Sequence, residues 1–383
     1  MEFSFIAPMK TVFKSGALDD IGQYIGGYGK RFLIVIDPVF EKNGTLAKVQ
    51  AQLDSLGIAY TCYLGVVGEP DVSYVDDASE QARAFGCDAV LSIGGGSSID
   101  VGKAAAGVIT NGGHVKEYLE FVGTGRKVEN PPLPFIAMPT TAGTGAEVTK
   151  NAVIGSKKEH FKRSMRDDQL IANLCILDPQ LCVSAPPKVT AIAGIDAMTH
   201  LMEAYATWKA NPMTKALALQ GLELAGRYLK RAYDNGEDLE AREGMSLAAY
   251  LGGISFSNSG LGAAHGLGMA INIYYPVPHG FGVGVTLPYV MEINAQGNPT
   301  LYDAVGEAFA GKRFDQPGEG TKAAIQFIKD LNAHIGIPAD LKELGVTEEL
   351  AETMGRECFG SSMSGNPVQL TGEEWGDLFK RLM

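Results

Sequence analysis

Short apolar runs and amphipathic stretches alternate through the first half of the chain. RFLIVID (Arg31 to Asp37) is continuously apolar and closes on an acid, the pattern of a buried parallel strand. FSFIAP near the start, IAYTCYLGV, CDAVLSIGGG and LPFIAMPTT read as further strands. Between them, residues 41–56, DVSYVDDASEQARAFG and SSIDVGKAAAGVIT carry helical spacing. Residues 150–182 close this half with strands, including CILDP at 175–179. Alternation of this kind predicts an α/β domain with a mainly parallel sheet over 1–184. Beyond SAPPKVT the pattern turns helical: 195–210, 213–236, 238–259, 261–274, 300–311, 320–335 and 347–358. An all-α domain is therefore expected over 185–383.

The length, 383 residues, agrees with two domains. A net charge of -12 and the absence of a Lys/Arg run argue against nucleic acid or an anionic membrane as partner. No apolar run reaches the ~18 residues of a membrane span. The start, MEFSFIAPMK, lacks the features of a signal peptide. Five widely spaced cysteines without a CxxC fit reduced thiols in the cytoplasm.

Chemistry gathers in three places. The first is Gly194 to Gly280. Asp196 and His200 stand four apart in GIDAMTHLMEAY, which a helix places on one face. His265 lies in a Gly/Ala-rich stretch, and His279, between Pro278 and Gly280, reads as a loop residue. One carboxylate and three imidazoles suit zinc or ferrous iron with a position left for substrate. Glu203 is either a partner for an imidazole N–H or a solvent-facing acid.

The second place is IGGGSSID (Ile93 to Asp100), a strand-to-helix turn able to bring backbone N–H groups to a pyrophosphate. It is not GxGxxG, and a plain tight turn explains it as well. The third is PTTAGTGAEVT (Pro139 to Thr149), whose Thr140, Thr141 and Thr144 either meet a nucleotide or cap turns. Asp37 at a strand end suits a ribose 2′-hydroxyl and repels a 2′-phosphate, or simply caps the turn at Pro38. Lys103 and Lys162 either meet phosphate or are solvated charges, and for Lys103 the surface reading is the stronger.

Taken together, IGGGSSID, PTTAGTGAEVT, GIDAMTHLMEAY, AAHG and VPHGFGVGVTLPYVMEIN resemble the iron-activated (group III) alcohol dehydrogenase family. The resemblance spans nearly the whole chain. It implies a Rossmann-like, dehydroquinate synthase-like N-terminal domain and a helical domain carrying the metal. It implies a cytoplasmic NAD(P)-dependent oxidoreductase for a small-molecule alcohol or aldehyde, and a homo-oligomer with a dimer favoured. Fe2+ is the expected metal with Zn2+ as alternative, and NAD the expected carrier with NADP as alternative. Asp196, His200, His265 and His279 then become the catalytic metal ligands. Asp37, Gly95, Gly96, Ser97, Asp100, Thr140, Thr141, Thr144 and Lys162 become cofactor residues. Asn151 and Phe256 fall where members line the substrate pocket. Met269 stands where many members carry a further His, and a thioether cannot shuttle a proton. The alternatives on this scaffold are a dehydroquinate synthase-like lyase, a maleylacetate reductase and a glycerol dehydrogenase.

Overall fold

The computed structural model describes residues 2–383. The chain divides into two compact units. One comprises Ile6–Thr141 and Ala146–Cys182; the other comprises Val183–Met383, the N-terminal stretch up to Phe5, and Ala142–Gly145.

The first unit is built on a six-stranded sheet. Its strands are β1 (Thr11–Phe13), β2 (Arg31–Ile36), β3 (Ala59–Tyr63), β4 (Ala89–Gly94), β5 (Phe135–Pro139) and β8 (Leu174–Leu177). They are ordered β1-β8-β5-β4-β2-β3, and every neighbouring pair is parallel. β6 (Asn151–Ser156) and β7 (Phe161–Arg166) form a separate antiparallel hairpin. Parallel strands need crossovers, and helices supply them. These are α1 (Ile21–Ile25), α2 (Val39–Lys42), α3 (Thr45–Ser55), α4 (Val72–Phe85) and α5 (Gly96–Asn111).

Strand residues point alternately to the two faces. Phe32, Ile34 and Ile36 join a core with Val49 and Leu53 of α3, while Leu33 and Val35 join another with Val75 of α4 and Ala104 of α5. A strand buried on both faces must be apolar throughout, which is why RFLIVI is legible.

Two expectations fail here. FSFIAP is not a strand; the edge strand β1 begins later, at Thr11, where it pairs with Cys175. The single helix expected over 41–56 is two, α2 and α3, because Gly44 adopts a left-handed conformation (φ 84°) that ends one and starts the other.

The second unit is helical. Its elements are α6 (Pro187–Ala206), α7 (Pro212–Asp234), α8 (Leu239–Ser259), α9 (Ala263–Tyr274), α10 (His279–Gly297), α11 (Asp303–Ala310), α12 (Glu319–His334), α13 (Ala351–Glu357) and α14 (Gly372–Arg381). One apolar core joins them, with Met198, Leu201, Leu222, Met245, Leu267, Val285, Ile328 and Trp375 among its buried residues. α6 begins at Pro187, well before the expected 195, since proline is well placed in a helix's first turn. α10 and α14 were not expected. HGFGVGVTLPYV holds three glycines and Pro288, poor helix formers, but tertiary packing requires small residues there. A Cβ at Gly280 would lie 2.1 Å from the Ile192 carbonyl oxygen. Among the described residues, no helix is long and apolar enough to cross a membrane.

Candidate metal and dinucleotide sites

Three helices of the second unit converge on one carboxylate oxygen. α6 carries Asp196 and His200 one turn apart, both buried. α9 carries His265, and α10 opens with His279, which is therefore helical rather than a loop residue. Asp196 Oδ1 lies 3.4 Å from His265 Nε2, 3.8 Å from His279 Nε2 and 3.9 Å from His200 Nε2. Ligand atoms bonded to one cation at ~2.1 Å can be no more than ~4.2 Å apart, and these three separations respect that bound. Asp196, His265 and His279 each offer a ligand atom within 4.8 Å of the others. His200 does not join that tightest set, although it faces the same oxygen.

Three buried atoms in the cluster have no hydrogen-bond partner: His200 Nδ1, and the two that face each other, Asp196 Oδ1 and His265 Nε2. Orphaned buried polar atoms are costly, so the convergence of the facing pair fits a cation. Donor chemistry agrees, since imidazole and carboxylate suit first-row divalent metals. Burial works against the Asp196 carboxylate, yet the three imidazoles outweigh it and hold the group well below the usual range. Burial drives His200 down to about 4, keeping its ring neutral and its lone pair available.

Packing and hydrogen bonds fix these rings. His200 is stacked between Phe256 (4.5 Å between centroids) and His265 (4.4 Å). His265 Nδ1 sits 2.6 Å from Glu203 Oε2, and His279 Nδ1 sits 2.8 Å from Asn272 Oδ1. Glu203 is thus buried against His265 rather than solvent-facing. Asn272 went unread in the sequence; a polar amide inside AINIYY was the available signal. Phe256 borders the cluster, and Met269 lies half-buried on α9, one turn after His265.

In the first unit, Gly95 and Gly96 open α5, with Gly95 as N-cap and no side chain capping the helix start. Ser97 follows in the first turn. The backbone N–H groups there, with the dipole's positive end, form the kind of place an anion binds. Thr140 N–H donates to the Gly94 carbonyl (2.9 Å), joining the Pro139–Thr141 turn to the GGGS turn. A Cβ at Gly95 would meet Thr141 Oγ1 at 3.5 Å. Thr144 belongs to the helical unit, exposed between Gly143 and Gly145. Asp37 Oδ1 accepts from Val39 N–H at 3.0 Å, the turn-capping role.

Asp100 is buried. Its Oδ2 accepts from Val153 N–H (2.9 Å), and so anchors the β6–β7 hairpin. Asn151 opens β6. Lys162 pairs with Glu69 at 2.7 Å.

The surface reading of Lys103 is wrong. Its side chain is wholly buried, and Nζ donates to Ala146 O (2.6 Å), Thr149 Oγ1 (2.9 Å) and Asn151 O (2.8 Å), with Asp100 Oδ1 3.6 Å away. It ties α5 to the Thr/Gly-rich segment. The neighbouring small residues of GKAAAG were the clue, because they let α5 be enclosed on all sides.

Two family models cover the chain. "Iron-containing alcohol dehydrogenase" matches residues 8–179, and "Fe-containing alcohol dehydrogenase family, C-terminal" matches 190–383. The chain belongs to the iron-containing alcohol dehydrogenase family. Among relatives in that family, "Choline dehydrogenase" of Bacillus subtilis (strain 168) is 36% identical over 97% of this chain and 93% of its own. "NAD-dependent methanol dehydrogenase" of Bacillus methanolicus is 32% identical over 99% and 100%. A crystal structure of 1,3-propanediol oxidoreductase superposes with a TM-score of 0.95 at 31% identity, covering both chains completely. The family assignment makes the chain an enzyme of alcohol and aldehyde oxidoreduction. A lyase of the dehydroquinate synthase type, a maleylacetate reductase and a glycerol dehydrogenase find no support in these likenesses.

Proposed function

We propose that the protein is an NAD-dependent alcohol/aldehyde oxidoreductase that needs one divalent cation, ferrous iron, held by Asp196, His200, His265 and His279. The observation that carries this reading is the approach of three imidazole Nε2 atoms to a single buried carboxylate oxygen. A cation held there would act as a Lewis acid toward an alcohol or carbonyl oxygen.

The chain's own residues supply the rest. Asp196 offsets part of the positive charge and draws the three rings toward one point. Phe256 covers one face of the His200 ring and shields that side from water. The N-terminus of α5 and the glycines before it receive the pyrophosphate. Asp37 favours a free ribose 2′-hydroxyl, hence NAD over NADP. Met269, one turn after His265 on α9, belongs to the substrate surroundings. An alcohol gives up two electrons and two protons; NAD takes the hydride, and the second proton goes to solvent.

The reading includes a cytosolic homodimer. Five widely spaced cysteines without a CxxC support the reducing compartment, and sedimentation equilibrium tests the dimer.

The decisive assay uses metal-free protein reloaded with ferrous iron or with zinc. Primary alcohols, diols and the matching aldehydes are then screened by nicotinamide absorbance. Metal-restored turnover is expected, with iron giving more than zinc. No metal-dependent turnover on any of them would overturn the reading.

A further inference from the structure

The helix that carries His265 has no cap of its own. α9 starts after Gly262, which has no side chain to offer its first N–H groups. Two residues from elsewhere in the helical unit do this instead. Glu203 Oε1, on α6, accepts from Ala264 N–H (2.6 Å) and His265 N–H (3.3 Å). Asn366 Oδ1 accepts from Ala263 N–H at 3.2 Å. Asn366 is itself fixed: its amide donates to Asn294 Oδ1 (2.8 Å) and to the Val368 carbonyl (2.7 Å). Asn294 in turn donates to the buried Tyr302 hydroxyl at 3.2 Å. No space is left over, since a Cβ at Gly262 would lie 2.9 Å from Glu203 Oε1 and 3.1 Å from Asn366 Oδ1.

The second oxygen of Glu203 lies 2.6 Å from His265 Nδ1. A carboxylate only accepts hydrogen bonds, so Nδ1 must carry the proton. In a neutral imidazole the other nitrogen is then a bare lone pair. That nitrogen, Nε2, is the one facing Asp196 Oδ1 without a hydrogen-bond partner. We propose that Glu203 is the positioning residue of this centre: it caps α9 and fixes the tautomer of His265, so that Nε2 is presented ready to bind a cation. This rests on the metal reading above. Glu203 itself touches neither cation nor substrate; it acts through His265.

The substitution Glu203→Gln separates this role from simple packing, because it preserves volume. To keep both backbone N–H bonds, the new amide must turn its oxygen to Ala264 and His265. Its NH2 then faces Nδ1, which must become an acceptor, and the ring proton moves to Nε2, where it blocks ligation. Turning the amide the other way sets two N–H donors against its NH2.

Two measurements follow. In metal-free wild type, 15N NMR of the His265 ring should show Nδ1 protonated; a ring protonated only at Nε2 overturns the proposal whether or not any variant folds. Cobalt(II) titration, read by its visible absorption, should show wild-type binding and a 10–100-fold weaker E203Q, the range found for lost partners of metal-binding histidines. Equal cobalt affinity in the two proteins overturns the proposal and leaves the metal reading standing. A wild type that binds no cobalt while showing the protonated Nδ1 instead removes the metal reading.

Discussion

Replacing Lys103 with Met tests the account of the α/β unit most severely. The side chains are similar in length, so the change deletes a charge and three donated hydrogen bonds with little change in volume. It takes Nζ away from the Ala146 and Asn151 carbonyls, which then accept from the Thr149 hydroxyl at 3.2 Å, and leaves the buried Asp100 carboxylate without its cation. Removing one member of a buried ion pair costs about 3–5 kcal/mol, much of it from the group left behind. Each hydrogen bond lost from the charged Nζ is worth about 1.5–3 kcal/mol, which overlaps with that figure rather than adding to it. A loss of about 3–5 kcal/mol in the opening free energy of residues 146–153 corresponds to roughly a hundredfold to several-thousandfold less amide protection. Hydrogen exchange read by mass spectrometry on peptides from this segment gives that number directly. The tryptophans, Trp208 and Trp375, both lie in the helical unit, so fluorescence would miss it. Adding Asp100→Asn should recover part of the protection, because the uncompensated charge goes while an oxygen remains for Val153 N–H. Wild-type protection of 146–153 in K103M would refute the claim that this lysine holds the segment.

Three further outcomes are expected. Burial raises Glu147 from 4.5 to about 7, so the folded protein binds more protons than the unfolded chain between those values and this group's contribution to stability falls as pH rises from 4.5 to 7. By pH 8 that amounts to about 3 kcal/mol, so E147Q should gain on wild type in thermal midpoint between pH 5 and pH 8; a constant difference would contradict this. H279A should lose metal-dependent turnover by at least a hundredfold while its NAD affinity, measured calorimetrically, changes less than threefold; retained turnover with full metal content would remove His279 from the ligand set. D37G should raise kcat/KM with NADP relative to NAD, and an unchanged ratio would assign Asp37 only its turn-capping bond to Val39.

What was legible in the sequence divides along physical lines. FLIVI and FIAMP could be read because a strand covered on both faces must be apolar at every buried position. The Asp196–His200 pair could be read because helix geometry alone sets an i,i+4 relation. For Lys103 the small residues of GKAAAG hinted at burial, but its partners could not be read, since they are carbonyls more than forty residues further along the chain. α10 could not, because its glycines answer to neighbouring helices: Gly280 to Ile192 and Gly284 to Ile195. The capping of α9 by Asn366 joins residues 103 apart, and nothing local foretells it.

The central claim is that one cation is shared by Asp196, His200, His265 and His279. Anomalous diffraction at the iron absorption edge, on crystals of protein purified without chelator and loaded with ferrous iron, tests it most directly. A single strong peak within bonding distance of Asp196 Oδ1 and the three Nε2 atoms is the predicted result. A peak elsewhere, or no peak in protein whose turnover requires the metal, would contradict it.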